Sequence, residues 1–582
     1  MFSSNKNTYA KNEVTTWPIP NYWDAVAIVL VLAIIVLLGL GAKAMVGQFR
    51  LGETIPISLD PMMLPYYALR TVLRMLIALI CALVFTFIFG TWAAKRRQAE
   101  RLIIPMIDVL QSVPVLGFLS ITVTGFIALF PGSLLGPECA AIFAIFTAQV
   151  WNMTLSLYQS VRSVPEDLKE VSAVFHLSAW QQFWRVDVPF AMPGLLWNSM
   201  MSMSSSWIFL VAAEAISVAN QHITLPGIGS YIALAIARAD KAAIGYVIIT
   251  MFLVILLYDQ LLFRPLIAWA QKFKMDAGVD DAEPESWLLN LFQRTRFFRH
   301  GGFYLEILWE GMINMRPLRW RLANLNRGEY PELWKRYLSV MGYIALISVL
   351  FIAVFVLYRY IFTLVSLYEG VHVLYLGMVT AVRVLVLIAI SSLIWVPVGV
   401  WLGLHSRASR IAQPIVQFLA AFPANLLFPI VVIVIVRYHL NVNIWTSPLM
   451  ILGTQWYILF NVIAGASALP RSLHHVVATL NVRGWLWWKR WVLPGLFPYY
   501  ITGAITAAGG AWNISIIAEA VRWGPAQLQA TGLGAYIADV AAQGDFRRLA
   551  LGIAVMSLYV LALNRLLWRP LYRLASERFQ IR

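Results

Sequence analysis

Long apolar runs separated by short clusters of basic residues organise this chain from about residue 25 onward. Ala25 to Met45, Met75 to Ala94, Ile244 to Leu257 and Tyr343 to Leu357 are long enough, alone or with their flanks, to cross about 30 Å of hydrocarbon. Each reads as a membrane-spanning helix. The first run follows some two dozen polar residues and exceeds the apolar core of a secretory leader, so it reads as a span and not as a cleaved signal.

The runs repeat. Trp151 and Trp456 are 305 residues apart, and the same offset pairs Pro165 with Pro470, Trp180 with Trp485, Pro189 with Pro494, Trp207 with Trp512, Glu214 with Glu519, Gly227 with Gly532, Gly229 with Gly534 and Arg264 with Arg569. Upstream the offset is 309, matching Thr71 and Arg74 to Thr380 and Arg383, Pro105 to Pro414 and Pro114 to Pro423. A four-residue length difference in one outer loop reconciles the two. The order of spans and basic loops is the same in both copies, so the chain is a duplication with parallel topology and an even number of spans per copy.

The predicted fold is therefore an all-α polytopic membrane protein of two repeats. About six spans per repeat fit, near 25–46, 68–94, 102–130, 137–160, 193–216 and 242–263, then 338–362, 377–404, 411–437, 447–468, 495–517 and 547–567. The domains become a first half at 1–263, a linker at 264–337 and a second half at 338–582, with both termini on the cytoplasmic side. The third span of each half carries prolines that neighbouring helices must accommodate. The linker mixes aromatic, acidic and basic residues and reads either as amphipathic helices on the inner leaflet or as a partly disordered tether.

Composition sharpens this picture. Of 582 residues, 60% are hydrophobic and 12% charged, too apolar for a soluble surface, so lipid is the solvent. A net charge of +16 in a soluble protein would suggest nucleic acid, but here the cations crowd the loops, as at Lys95, Arg96, Arg97 and Arg101, which marks those loops as cytoplasmic. No nucleic-acid partner is implied. Cys81 and Cys139 lie in or beside apolar runs and read as packed thiols, and the eight histidines have no metal-ligand spacing. No metal site or catalytic constellation emerges.

Between the fourth and fifth spans of each half lies a segment too long for a simple connection. It runs from Pro165 past Glu166, Glu170 and Trp180 to Pro189, and from Pro470 past His475 and Trp485 to Pro494. In this reading proline starts one short helix and ends the next, which makes a rigid elbow suited to transmitting a push from a soluble partner. The elbows resemble importer permeases with the pattern Glu-Ala-Ala, three residues, Gly, then a hydrophobic run ending in Leu-Pro; His176 and Asn481 stand at the glycine place.

More specifically, the halves are similar to permeases of the nitrate, sulfonate, taurine and bicarbonate group of binding-protein-dependent ABC importers. The resemblance rests on Thr71 to Arg74, Pro105, Pro114, Ala213-Glu214 and Gly227-Ile228-Gly229-Ser230-Tyr231-Ile232, and on Thr380 to Arg383, Pro414, Pro423, Ala518-Glu519 and Gly532 to Ile537. It covers 68–263 and 377–570. It implies a type I importer permease in a bacterial inner membrane, two ATPase subunits on the cytoplasmic elbows, and a periplasmic or lipid-anchored substrate-binding protein. It also implies a small organic or inorganic anion as solute. No cofactor is expected, because ATP would be bound by the partners: no Gly-Lys dipeptide occurs, so a phosphate loop is absent.

Several roles stay open at this point. Glu214 and Glu519, near the outer ends of the fifth and eleventh spans, are either pathway or gate residues or carboxylates that pin a re-entrant outer loop. Arg74 and Arg383 either meet an anion or pair locally. Trp207 and Trp512, seven residues before the glutamates, are grouped with them as candidates for the translocation pathway or gate, beside the alternatives of interfacial anchors or packing between the halves. The competing class is an ion-coupled secondary transporter, which needs ionisable groups near mid-membrane; few are visible.

Overall fold

The computed structural model describes residues 21–47, 55–218, 221–273, 286–315, 351–467 and 479–578, with single positions at 341, 344, 348, 469, 476 and 477. Pro470 and His475, and most of 316–350, lie outside the described residues. Among the described residues, seven helices are long and apolar enough to cross a membrane, or up to ten if each sharply bent pair is one span. In the first half they include Tyr22–Met45, Pro61–Lys95, Leu135–Arg162 and Lys241–Ala270; in the second, Leu367–Leu404, Gly484–Ala518 and Phe546–Ala575.

Physical cause is visible at the helix ends and crossings. Asn21 and Asp24 form a reciprocal cap at the start of the first span, satisfying N–H groups that the helix itself cannot. Gly90 lets its helix approach the fourth span so closely that a Cβ would sit 3.2 Å from the Thr154 carbonyl oxygen. Its repeat partner Gly399 would meet Val462 at 2.7 Å. Small residues at crossings are how helices pack where lipid removes the hydrophobic drive.

The structure corrects three expectations. The third spans are broken, with Arg97–Leu110 meeting Val115–Leu129 at 86° and Arg407–Ala421 meeting Ala424–Arg437 at 77°. Pro114 and Pro423 occupy the breaks in extended conformation, because proline lacks the N–H a continuous helix needs there. Pro189 and Pro494 do not end a short helix; they lie in the first turn of the spanning helices Val188–Glu214 and Leu493–Ala518. The wider π-turns Phe183–Asp187 and Trp488–Val492 join those spans to the elbow without a stop. Finally, Cys81 is exposed on the second span, not packed; Cys139 is half-buried, and both thiols are free.

Two antiparallel hairpins interrupt the helical pattern. β1 (Ala215–Val218) pairs with β2 (Gln221–Thr224), and β3 (Ala520–Trp523) with β4 (Ala526–Gln529). Each follows the glutamate at the outer end of a spanning helix and leads into a short helix, Ile228–Ala237 or Leu533–Gln543. The second hairpin reaches across the repeat boundary, where the Gly524 N–H donates to the Ile236 carbonyl over 2.9 Å. The linker contributes helices Trp287–Arg294 and Arg296–Ile313. Leu288 and Leu291 bury against Ala27 of the first span, and the Arg294 guanidinium lies 5.4 Å from the Trp23 ring.

Candidate functional site: the inter-half cavity and its anchors

A cavity of 640 Å³ lies between the halves. Its walls run from Ile208 and Trp512, each six residues short of the outer end of its spanning helix, to Gln159, Asn564 and Trp568 near the face that carries the elbows and basic loops, here the inner face. Both repeats supply its polar lining, with Asn198 and Ser205 from one and Asn461 and Thr502 from the other. Farther out, Ala213 and Ile516 of the same spanning helices belong to one apolar core with Val521 of the following hairpin and Leu533 of the short helix after it. The geometry is a vestibule on the inner side of an apolar plug.

Neither sequence-predicted glutamate lines this cavity. Glu214 is fully buried and its carboxylate is spent on the fold: it accepts from Thr71 Oγ1 at 2.7 Å, Arg74 Nη1 at 2.5 Å and the Gly229 N–H at 2.6 Å. Thr71 Oγ1 also accepts from the Ile228 N–H at 3.1 Å, and Arg74 donates to the Pro226 carbonyl at 3.0 Å. The carboxylate thus sits at a helix N-terminus, where unpaired N–H groups favour a negative charge. The second half repeats the pattern. Glu519 accepts from Thr380 at 3.0 Å, from Arg383 and from the Gly534 N–H at 2.8 Å, while the Leu533 N–H reaches Thr380 at 2.9 Å.

This arrangement explains the paired glycines. A Cβ on Gly227 would sit 2.4 Å from the Glu214 carboxylate, and one on Gly532 would sit 2.3 Å from that of Glu519. On Gly229 and Gly534 it would strike the Val211 and Ser515 carbonyl oxygens at 2.1 and 2.3 Å. Only glycine lets the re-entrant backbone come this close.

Two charged residues escaped the sequence reading. Glu138 accepts from Arg70 at 2.5 Å and from Arg74 at 2.6 Å, so the first anchor contains two arginines and two carboxylates, all buried. The repeat positions are Val379 and Asn443, and Asn443 Oδ1 instead accepts from the Thr531 N–H at 2.7 Å. The signal was present as a glutamate inside an apolar run and an arginine one turn before Arg74, but comparison of the repeats hid both.

The tryptophan pair is split between two sites. Trp512 lines the central cavity, whereas Trp207 packs edge-on against Tyr258, ring centres 5.7 Å apart, in a separate 350 Å³ crevice between the halves. That crevice ends at a polar seam. Arg264 pairs with Asp259 at 3.1 Å within the first half, and Gln417 of the second half donates to the same carboxylate at 3.1 Å. The opposite seam exchanges the groups: Arg569 pairs with Asp108 across the halves, and Asn564 stands where the first half has Asp259.

At the inner face, Pro165 opens the elbow helix Glu166–Val174, whose exposed side includes Glu166, Glu170, Val171, Val174 and Phe175. Lys169 pairs with Glu166 at 2.9 Å. His176 and Asn481, at the family's glycine place, both have left-handed backbones, φ 48° and 51°. They meet the geometric requirement of a helix C-terminus at some steric cost. Trp180 is half-buried, 5.6 Å from Trp184, which in turn lies 4.7 Å from Trp309 of the linker; Gln181 donates to Asn314 at 2.9 Å. Trp485 is 72% exposed.

Residues 86–262 and 395–568 each match the family described as the binding-protein-dependent transport system inner membrane component. The chain belongs to that family. It is an ABC-transporter permease with two such regions in tandem. Similar curated proteins include the nitrate import permease protein NrtB of Synechocystis, 26% identical over 198 residues, or 33% of this chain and 69% of that one. The bicarbonate transport system permease CmpB of Synechococcus elongatus is 26% identical over 32% of this chain and 60% of its own length. ProW of Escherichia coli, a glycine betaine/proline betaine transport system permease, is 28% identical over 32% of this chain and 50% of its own length. The matched segments thus cover between half and about two thirds of these relatives.

Proposed function

We propose that this chain forms the whole transmembrane pathway of an importer, the solute passing between its two halves while separate ATPase subunits drive the change of access. The observation that carries this reading is the cavity lined by both repeats, with an apolar plug on its outer side and polar walls toward the inner face. Each elbow, 165–189 and 470–494, docks one ATPase subunit. An outer binding protein delivers the solute to the face formed by the hairpins, and the protein resides in a bacterial inner membrane.

In this reading Glu214 and Glu519 are anchors that fix the re-entrant segments, not points of solute contact; Trp512 is the pathway residue of the four candidates. The exposed Val171, Val174 and Phe175 support docking by apolar contact at the first elbow. Nitrate, bicarbonate and glycine betaine in the relatives' names put small anions and a zwitterion forward as solute classes. Purification from its native host tests the assignment. An ATPase subunit should co-purify and account for all nucleotide turnover, while the isolated chain hydrolyses none; turnover by the chain alone would overturn it.

A further inference from the structure

The linker helix Arg296–Ile313 carries rows of side chains at i, i+4 spacing, and each row has its own surroundings. Trp309 and Ile313 turn toward the first elbow. Trp309 meets Trp184 edge-on with ring centres 4.7 Å apart, Ile313 is buried, and Asn314 just beyond accepts from Gln181 at 2.9 Å. Tyr304, Leu308 and Met312 form a second row, an apolar stripe that is exposed along its whole length. Glu306 and Glu310, also exposed, fall on the side of the helix opposite that stripe.

Depth decides what covers the stripe. The preceding linker helix, Trp287–Arg294, buries Leu288 and Leu291 against Ala27, and the Arg294 guanidinium stands over the Trp23 ring; Trp23 and Ala27 lie in the first two turns of the first span, at its inner end. Lipid surrounds that span, since only 11% of its most apolar stretch is buried inside the protein. Trp184 fixes the other flank, because it lies in the π-turn that leads from the inner face into the spanning helix Val188–Glu214. The helix Arg296–Ile313 therefore sits at the level where both spans leave the hydrocarbon. Its acidic row faces water and its stripe faces the acyl-chain boundary, the arrangement of an interfacial amphipathic helix.

This contact has no twin. At the 305-residue offset Gln181 and Trp184 become Leu486 and Lys489, which offer neither the amide nor the ring. We propose that the helix Arg296–Ile313 is seated in the inner leaflet by Tyr304, Leu308 and Met312 and, through Trp309 and Asn314, makes the order of the first elbow depend on the phospholipid surface, an input the second elbow lacks. The seat and the brace stand on this geometry alone; that the braced segment receives an ATPase subunit rests on the permease reading.

Both parts are tested on the full chain with its co-purified ATPase subunits in nanodiscs of phosphatidylethanolamine and phosphatidylglycerol. In a Cys81→Ser, Cys139→Ser background, a spin label is attached at Leu308→Cys or Glu306→Cys. Its collisions with oxygen, which concentrates in hydrocarbon, are compared with those of a water-soluble nickel chelate. Oxygen should dominate at 308 and the chelate at 306. Dominance of the chelate at 308, or a label there shielded from both reagents by a protein partner, overturns the seat. For the brace, Tyr304→Ser, Leu308→Ser and Met312→Ser are combined, and amide hydrogen exchange is followed at residues 179–187 and, as an internal control, at 484–492. Exchange should quicken on the order of tenfold at 179–187 alone. No difference between the two elbows overturns the brace. Failure of the permease reading shows separately, as a preparation that contains no ATPase subunit.

Discussion

The two halves build the same outer anchor with different amounts of charge. In the first, Arg70, Arg74, Glu138 and Glu214 form a sealed network of two cations and two anions. In the second, Glu519 has Arg383 alone, and that arginine is partly exposed. Thr71 and Thr380, the glutamates and the glycines are common to both, so they constitute the anchor itself. The Arg70–Glu138 pair is an addition that the second half shows to be dispensable, provided both members are absent together.

That comparison can be broken. Removing one member of a buried pair strands its partner, so Glu138→Gln should destabilise the protein by about 3–5 kcal/mol, with loss of monodisperse material and a lower Tm in detergent. Changing Arg70→Val and Glu138→Asn together reproduces the second half's residues and should recover most of that loss. If the double variant is as damaged as the single one, the first anchor differs from the second in kind. The shared part is probed by Gly229→Ala and Gly534→Ala. Each places a methyl group against a backbone oxygen, and the costs should be similar in the two halves, about 1–3 kcal/mol, read as paired Tm shifts.

The elbows offer a milder contrast. Trp180 joins an aromatic cluster with the linker, so Trp180→Ala should lower stability by about 2 kcal/mol or less while ATPase-subunit retention holds. Trp485 is exposed, so Trp485→Ala should leave Tm unchanged and reduce retention in pull-downs. Equal behaviour of the two would restore the symmetry that the sequence suggests. Smallest is the effect expected at the seams. Asp108→Asn removes a half-exposed ion pair between the halves and should cost about 1 kcal/mol or less, visible as a modest rise in cysteine cross-linking reach across the inner mouth.

What could be read in advance followed from duplication. Residues present in both copies, such as Thr71, Arg74, Glu214 and the paired glycines, stood out against a background in which tryptophan, proline and glycine seldom coincide. Prolines 114 and 423 marked the third spans as irregular, though not their bends of 86° and 77°. Arg70 and Glu138 stayed hidden because the second copy lacks them. The ion pair between Asp108 and Arg569 stayed hidden because its members are 461 residues apart and only the packing of one half on the other joins them. The hairpins were missed because four-residue strands between a glutamate and a glycine leave too short a pattern to separate from a loop.

The exchanged seams bear on what a fused gene permits. Were the pathway assembled from two copies of one polypeptide, every codon change would be made twice, and each seam would receive the same residues in the same places. Asp108 facing Arg569 would then require an acid at 417, and Asp259 would require an acid at 564. Instead each seam holds one arginine, one acid and one amide, with acid and amide trading positions. Such a trade is closed to two identical copies and open to a tandem gene, in which a change at one seam can be compensated locally without touching its twin. The linker thereby does more than tether two domains: it gives each side of the pore its own hereditary record.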